Sequence, residues 1–210
     1  MSEHVTRKRR RRVFPPTSLD QEFDRLIPDE LRHLSTMQWT PVRVAARAAA
    51  LLCTTRRTRV LDIGSGIGKL CSIGALSTFG TWVGVEQHAA LVSSATDLAR
   101  ALGVAERTRF VQADAFSIDW NEYDALYFYN PFELPLFDGR RTPSREVQIA
   151  RVQQRLESVP SCTRVVTFHG FGGVMPSSFE LLYHERIPSV GLDLALWIQR
   201  SSRAPDRVPS

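Results

Sequence analysis

Residues 59–68 constrain the fold more than any other stretch. Arg59-Val60-Leu61-Asp62-Ile63 is a short apolar run that passes directly into Gly64-Ser65-Gly66-Ile67-Gly68, and helical spacing resumes over about 67–78. A strand that turns at once into a helix uses backbone angles that a Cβ atom forbids, so the turn demands glycine. The same turn lets a ligand approach main-chain amides at a helix N-terminus.

The pattern then alternates. Apolar runs at 81–86, 108–112, 123–129 and 164–168 read as strands, and 88–102, closed by Gly103, and 144–158 read as helices. Strand–helix alternation is the sequence form of βαβ units on a parallel sheet, with right-handed crossovers placing helices on both faces. The last two runs, 179–183 and 192–198, are separated by turn residues Pro188, Ser189 and Gly191, with no room for a helix. They are expected to be antiparallel. The fold class is therefore α/β: a Rossmann-like doubly wound sheet of five parallel strands plus a terminal antiparallel strand pair.

Ahead of this unit, 19–33 reads as one or two short helices interrupted at Pro28. Thr40 is placed to cap a helix over about 41–53, with Pro41 at its first position. The expected organisation is a basic arm and linker (1–18), N-terminal helices (19–57), the α/β domain (58–201) and a flexible tail (202–210).

Spacing tests which ligand the glycine loop suits. A phosphate-cradling loop needs four residues between its glycine and Gly-Lys, whereas Gly64 and Gly68-Lys69 enclose three and Leu70 follows. The dinucleotide fingerprint wants its third glycine where Lys69 stands. Glu86, at the end of the second strand and 22 residues beyond Gly64, suits ribose hydroxyls and repels a 2′-phosphate. Asp114, in Gln112-Ala113-Asp114-Ala115-Phe116, follows the third strand and reads either as a ligand contact or as a loop aspartate capping a turn.

Asp62-x-Gly64-x-Gly66-x-Gly68 and the acids at the next two strand ends resemble the class I S-adenosylmethionine-dependent methyltransferases. The resemblance implies S-adenosyl-L-methionine as cofactor. It implies a binding set of Asp62, Gly64, Ser65, Gly66, Gly68, Glu86, Gln87, Asp114 and Ala115. In that set Glu86 serves the ribose, Asp114 the adenine amino group, and Ala115 or Phe116 the ring. Asp62 orders the loop or meets the methionine amino group.

The fourth strand ends in Tyr127-Phe128-Tyr129-Asn130-Pro131-Phe132. Amino-group methyltransferases of adenine or glutamine carry Asn-Pro-Pro-aromatic at this place, and here one proline is missing. Residues 58–135 also resemble the non-SET-domain histone lysine methyltransferases. Asn130, Pro131 and Phe132 are the catalytic candidates, with His169 after the fifth strand as a base or substrate contact. Tyr127, Tyr129, Phe132 and Phe137 are candidates for an aromatic channel around an amine, although Tyr127 and Phe128 also fit as core residues. Residues 133–146, with Arg140 and Arg141, are a candidate substrate lid.

Charge adds one constraint. Six of the 27 bases (Arg7, Lys8, Arg9, Arg10, Arg11 and Arg12) lie within residues 1–12 beside one acid, so the rest of the chain holds 21 bases and 21 acids. The arm reads as solvated, or as making weak contacts with an anionic partner. Cys53, Cys71 and Cys162 have no metal spacing and read as free thiols in a reducing compartment. Nothing approaches the ~18 continuous apolar residues of a membrane span, so a cytoplasmic protein is expected. The leading expectation is a methyltransferase acting on a protein amino group. The alternatives are a small-molecule or nucleic-acid methyltransferase, a non-catalytic cofactor-binding protein, and an NAD oxidoreductase.

Overall fold

The structure, a computed structural model, describes residues 18–131 and 144–200, with backbone alone at 36 and 37. Four helices come first: α1 (Ser18–Asp24), α2 (Asp29–Arg32), α3 (Ser35–Gln38) and α4 (Val42–Leu52). The alternating unit follows as β1 (Arg59–Ile63), α5 (Lys69–Ser77), β2 (Thr81–Glu86), α6 (Ala89–Ala101), β3 (Thr108–Gln112), β4 (Ala125–Phe128), α7 (Arg145–Ser158) and β5 (Arg164–Phe168). It ends with β6 (Phe179–Ile187) and β7 (Leu192–Gln199).

All seven strands form one sheet in the order β3-β2-β1-β4-β5-β7-β6. Strands β1 to β5 are parallel to one another, and β7 runs antiparallel to both β5 and β6. Successive residues of the central strands face opposite layers, as the two-residue period requires. Val60, Ala125 and Tyr127 join the core shared with α4, α5 and α6. Leu61, Ile63, Leu126 and Phe128 join the core shared with α7 and the segment around Trp120. Ile27, Leu31, Leu34 and Trp39 from the N-terminal segment pack into the first of these cores.

Several boundaries differ from the sequence reading. Strand β4 begins at Ala125 because Trp120–Glu122 forms a 3₁₀ turn that runs up to Tyr123. Strand β6 extends to Ile187, paired along its length with β7, and its register slips between Leu181 and Tyr183. Helix α3 was not anticipated. Thr40 does not cap α4: its hydroxyl is hydrogen-bonded to the Tyr127 hydroxyl at 2.7 Å. The side chain that serves the helix start is Asp20, whose Oδ1 accepts from the Val42 amide at 2.8 Å.

The arm at 7–12, Phe132, Phe137, Arg140, Arg141, most of the 133–146 segment and the tail at 202–210 lie outside the described residues. Among the described residues, no helix is long and apolar enough to cross a membrane.

Candidate functional site

The sheet reverses direction of growth beside β1, with β2 on one side and β4 on the other. Open α/β sheets bind ligands outside the carboxyl ends of their strands at such a switch point. The loop from β1 to α5 occupies that position. Gly64, Gly66 and Gly68 all have left-handed backbone angles, with φ of 76°, 54° and 71°. The amides of Gly64 and Ser65 both donate to the Val85 carbonyl at 3.0 Å, which pins the loop to β2.

Glu86 at the tip of β2 holds the loop from the side. Its Oε2 accepts from the Gly66 amide at 3.1 Å, and its Oε1 accepts from the amides of Gln87 and His88 at 2.8 and 3.1 Å. Both acceptor positions of Oε1 are engaged, and Oε2 retains one for a further donor.

Close approach is built into the loop. A Cβ on Gly64 would stand 2.9 Å from Pro131 Cβ, and one on Gly66 would stand 3.2 Å from Trp39 Nε1. The loop is thus lined by the β4 tip on one side and by the indole that precedes α4 on the other. Helix α5 has Gly68 as its N-cap, so the cap residue offers no side chain to the first turn. Its first-turn amides form an anion-binding terminus of the ordinary kind.

Beneath the loop lies a buried polar group. Asp62 is 4% exposed, and its Oδ2 accepts from the Cys71 thiol at 3.6 Å. Burial above all raises its pKa to about 7, the thiol bond opposes the rise, and the negative charge of Glu86 adds to it. Tyr127 is the β4 register partner of Asp62. Burial holds its phenol well above the ordinary value, against the bond from Thr40 and with the Asp62 charge. Two acids around one loop make the site favourable to a cationic ligand.

Lys69 begins α5, where the helix dipole disfavours a cation. It is nevertheless 3% exposed. Its ammonium is neutralised by Asp20 at 3.0 Å and Asp24 at 3.6 Å, both on α1, and lies 5.0 Å from the Phe23 ring centroid. Trp39, Lys69 and Asp20 were not identified as site-shaping residues from sequence. The available signal was a lysine in the first turn of a helix, which implies acidic partners elsewhere.

The remaining residues fall as follows. Ser65 is buried, its hydroxyl has no hydrogen-bond partner among the described residues, and it sits against Gly84, so only its main chain faces the loop. Gln87 is exposed beside Glu86. Asp114 is also exposed, and its Oδ1 accepts from the Phe116 amide at 3.0 Å. That oxygen caps a turn, leaving Oδ2 for any ligand. Ala115 is buried, and its carbonyl accepts from Trp120 Nε1 at 2.9 Å. Tyr127 and Phe128 are core residues; Tyr129 packs against Phe168 with ring centroids 4.9 Å apart.

At the tips of β4 and β5, Asn130 and His169 are non-glycine residues with φ of 42° and 62°. Such backbone strain concentrates at functional sites. The Asn130 amide donates to the Gly170 carbonyl at 2.8 Å, and the His169 amide donates to the Asp193 carbonyl at 2.9 Å. Asn130 Nδ2 is buried with no hydrogen-bond partner among the described residues. The His169 side chain is exposed. A separate concavity of about 400 Å³ lies between Leu26–Arg32 and the Ser94–Ala101 face of α6, away from these tips.

No protein-family profile matches the chain, and no curated protein matches it. Solved structures do. An RNA methyltransferase from Salinibacter ruber, in complex with S-adenosyl-L-homocysteine, superposes with a TM-score of 0.61 at 22% identity, over 82% of this chain and 99% of that one. A mutant of MtNAS in complex with S-adenosylmethionine gives 0.59 at 16% identity, over 87% and 72%. The [4+2]-cyclase SpnF gives 0.56 at 14% identity, over 78% and 84%. The chain has the Rossmann-like fold of the class I S-adenosylmethionine-dependent methyltransferases. The cyclase is a reminder that this fold carries more than one chemistry.

Proposed function

We propose that this protein is an S-adenosylmethionine-dependent methyltransferase whose cofactor lies across the tips of β1, β2 and β3. The observation that carries the reading is the loop itself. Three left-handed glycines sit at the switch point, clamped by Glu86 and followed by a helix start whose cap residue is glycine. Its fit to the cofactor is chemical as well as steric. Glu86 Oε2 has acceptor capacity for a ribose hydroxyl, the first-turn amides of α5 suit the carboxylate, and Asp62 and Glu86 supply negative potential for cationic groups. Asp114 Oδ2 and the main chain at Ala115 would border the adenine.

When bound, the cofactor supplies a methyl group on a sulfonium. The task of the chain is to bring a lone pair in line with it and exclude water. Pro131 stands beside Gly64, and Asn130 precedes it at the tip of β4. The side-chain amide of Asn130 offers a donor and an acceptor to a nitrogen nucleophile, whether that nitrogen belongs to a protein amino group, a nucleic acid or a small molecule. His169, exposed on the neighbouring tip, is positioned to receive a proton or touch substrate.

The test is transfer of a tritiated methyl group from S-adenosylmethionine to lysate fractions of protein, RNA and metabolites. Label in one fraction, lowered at least 100-fold by Asn130→Ala, supports the reading. Labelling of none of the fractions would leave a cofactor-binding protein without turnover.

A further inference from the structure

Trp39 comes from outside the alternating unit and yet reaches its glycine loop. It follows α3 in extended backbone, with φ of −113° and ψ of 141°, and is 6% exposed. Its chain neighbours fix it there. The hydroxyls of Thr40 and Tyr127 are bonded at 2.7 Å, and the Val42 amide donates to Asp20 Oδ1, which also meets Lys69 Nζ at 3.0 Å. The indole is thereby held over the loop, with Nε1 3.2 Å from where a Cβ on Gly66 would stand. Glycine has only a hydrogen in that direction, and among the described residues none accepts a hydrogen bond from Nε1. A donor on a side chain buried to this extent calls for a partner, and its place over the loop makes that partner a ligand.

The chemistry of the donor selects the ligand group. An indole nitrogen donates and does not accept, which excludes the ammonium and the sulfonium of S-adenosylmethionine. The ribose is drawn to Glu86, bonded to the amide of Gly66, and the adenine to the tip of β3. The carboxylate remains. Asp62 and Glu86 repel it, and the nearby cation of Lys69 is engaged by Asp20 and Asp24. Neutral donors must therefore hold it. The first-turn amides of α5 are one set, and Trp39 lies in the same core layer as Ile67 and Leu70 at that helix start. A hydrogen bond to a carboxylate is roughly twice as strong as one between neutral groups.

We propose that the indole N–H of Trp39 donates to the carboxylate of the cofactor's methionine moiety, so that the N-terminal segment completes the cofactor site. This rests on the methyltransferase reading of that site.

Calorimetry of the full chain and of Trp39→Phe tests it with two ligands: S-adenosylhomocysteine, and its decarboxylated analogue, which keeps the adenosine and the amine. Trp39→Phe is expected to bind S-adenosylhomocysteine at least tenfold more weakly and the analogue within threefold of the natural chain. Equal losses for both ligands would make Trp39 a wall alone and overturn the proposal. So would an unchanged affinity for S-adenosylhomocysteine, or a variant that binds it more tightly because the indole obstructs the cleft. Should Trp39→Phe not fold, benzothienylalanine at position 39 keeps the ring shape and lacks the N–H. The same selective loss is then expected, and its absence would contradict the proposal. A natural chain that binds neither ligand would overturn the cofactor reading itself, a failure distinct from that of Trp39.

Discussion

Glu86 and Gly66 are joined by a hydrogen bond of 3.1 Å from the loop amide to the carboxylate. The acid that the fold presents to a ribose therefore also holds the loop on which the cofactor would rest. Ligand recognition and loop order are coupled through one side chain.

Glu86→Gln tests that coupling at constant size. An amide group keeps one acceptor and replaces the other with a donor, so either the Gly66 contact or the contacts to Gln87 and His88 are lost. The expected outcome is at least tenfold weaker binding of S-adenosylhomocysteine, about 1.4 kcal/mol, measured by calorimetry. An unchanged dissociation constant would remove Glu86 from the site.

Asn130 separates backbone from side-chain roles. Its φ of 42° is natural for glycine and costs an alanine about 1–2 kcal/mol. Asn130→Gly should be more stable than Asn130→Ala by roughly 1 kcal/mol in urea unfolding. Both should bind S-adenosylhomocysteine within threefold of the natural chain and lose methyl transfer. Activity retained by Asn130→Gly would assign Asn130 to the turn alone.

Much of this arrangement was legible in the sequence, for a physical reason. The parallel strands are short apolar runs bounded by glycine or polar turns, and the loop glycines are dictated by local backbone geometry. Pairings remote in sequence were not legible. Thr40 has the residue type and place of a helix cap, yet its hydroxyl meets Tyr127, 87 residues away. Lys69 and Asp20 are separated by 49 residues, and nothing local to either announces the other. Asp114 was readable in two ways, and the structure commits one of its oxygens to the turn.

The Lys69 cluster carries its own expectation. Lys69→Met leaves buried Asp20 and partly buried Asp24 without their cation, a loss of about 3–5 kcal/mol. Adding Asp20→Asn and Asp24→Asn should recover part of it, as measured by urea midpoints. A single variant as stable as the natural chain would mean that α1 is not anchored through this pair.

Asp62 sets a pH dependence. Its pKa in the folded protein, about 7, lies above the ordinary value of 3.8. Between those limits the native state binds more protons than the unfolded chain, so stability falls as pH rises from about 4 to about 7 and then levels. The expected amplitude is on the order of a few kcal/mol. Asp62→Asn should flatten that stretch of the curve, and an identical slope in the variant would contradict the assignment.

The most direct measurement is calorimetric titration of the full chain with S-adenosylhomocysteine and, separately, with NAD. The site described here is expected to give saturable one-to-one binding of S-adenosylhomocysteine that Glu86→Gln weakens, with no heat from NAD. Tight NAD binding with no response to S-adenosylhomocysteine would contradict the account at its centre.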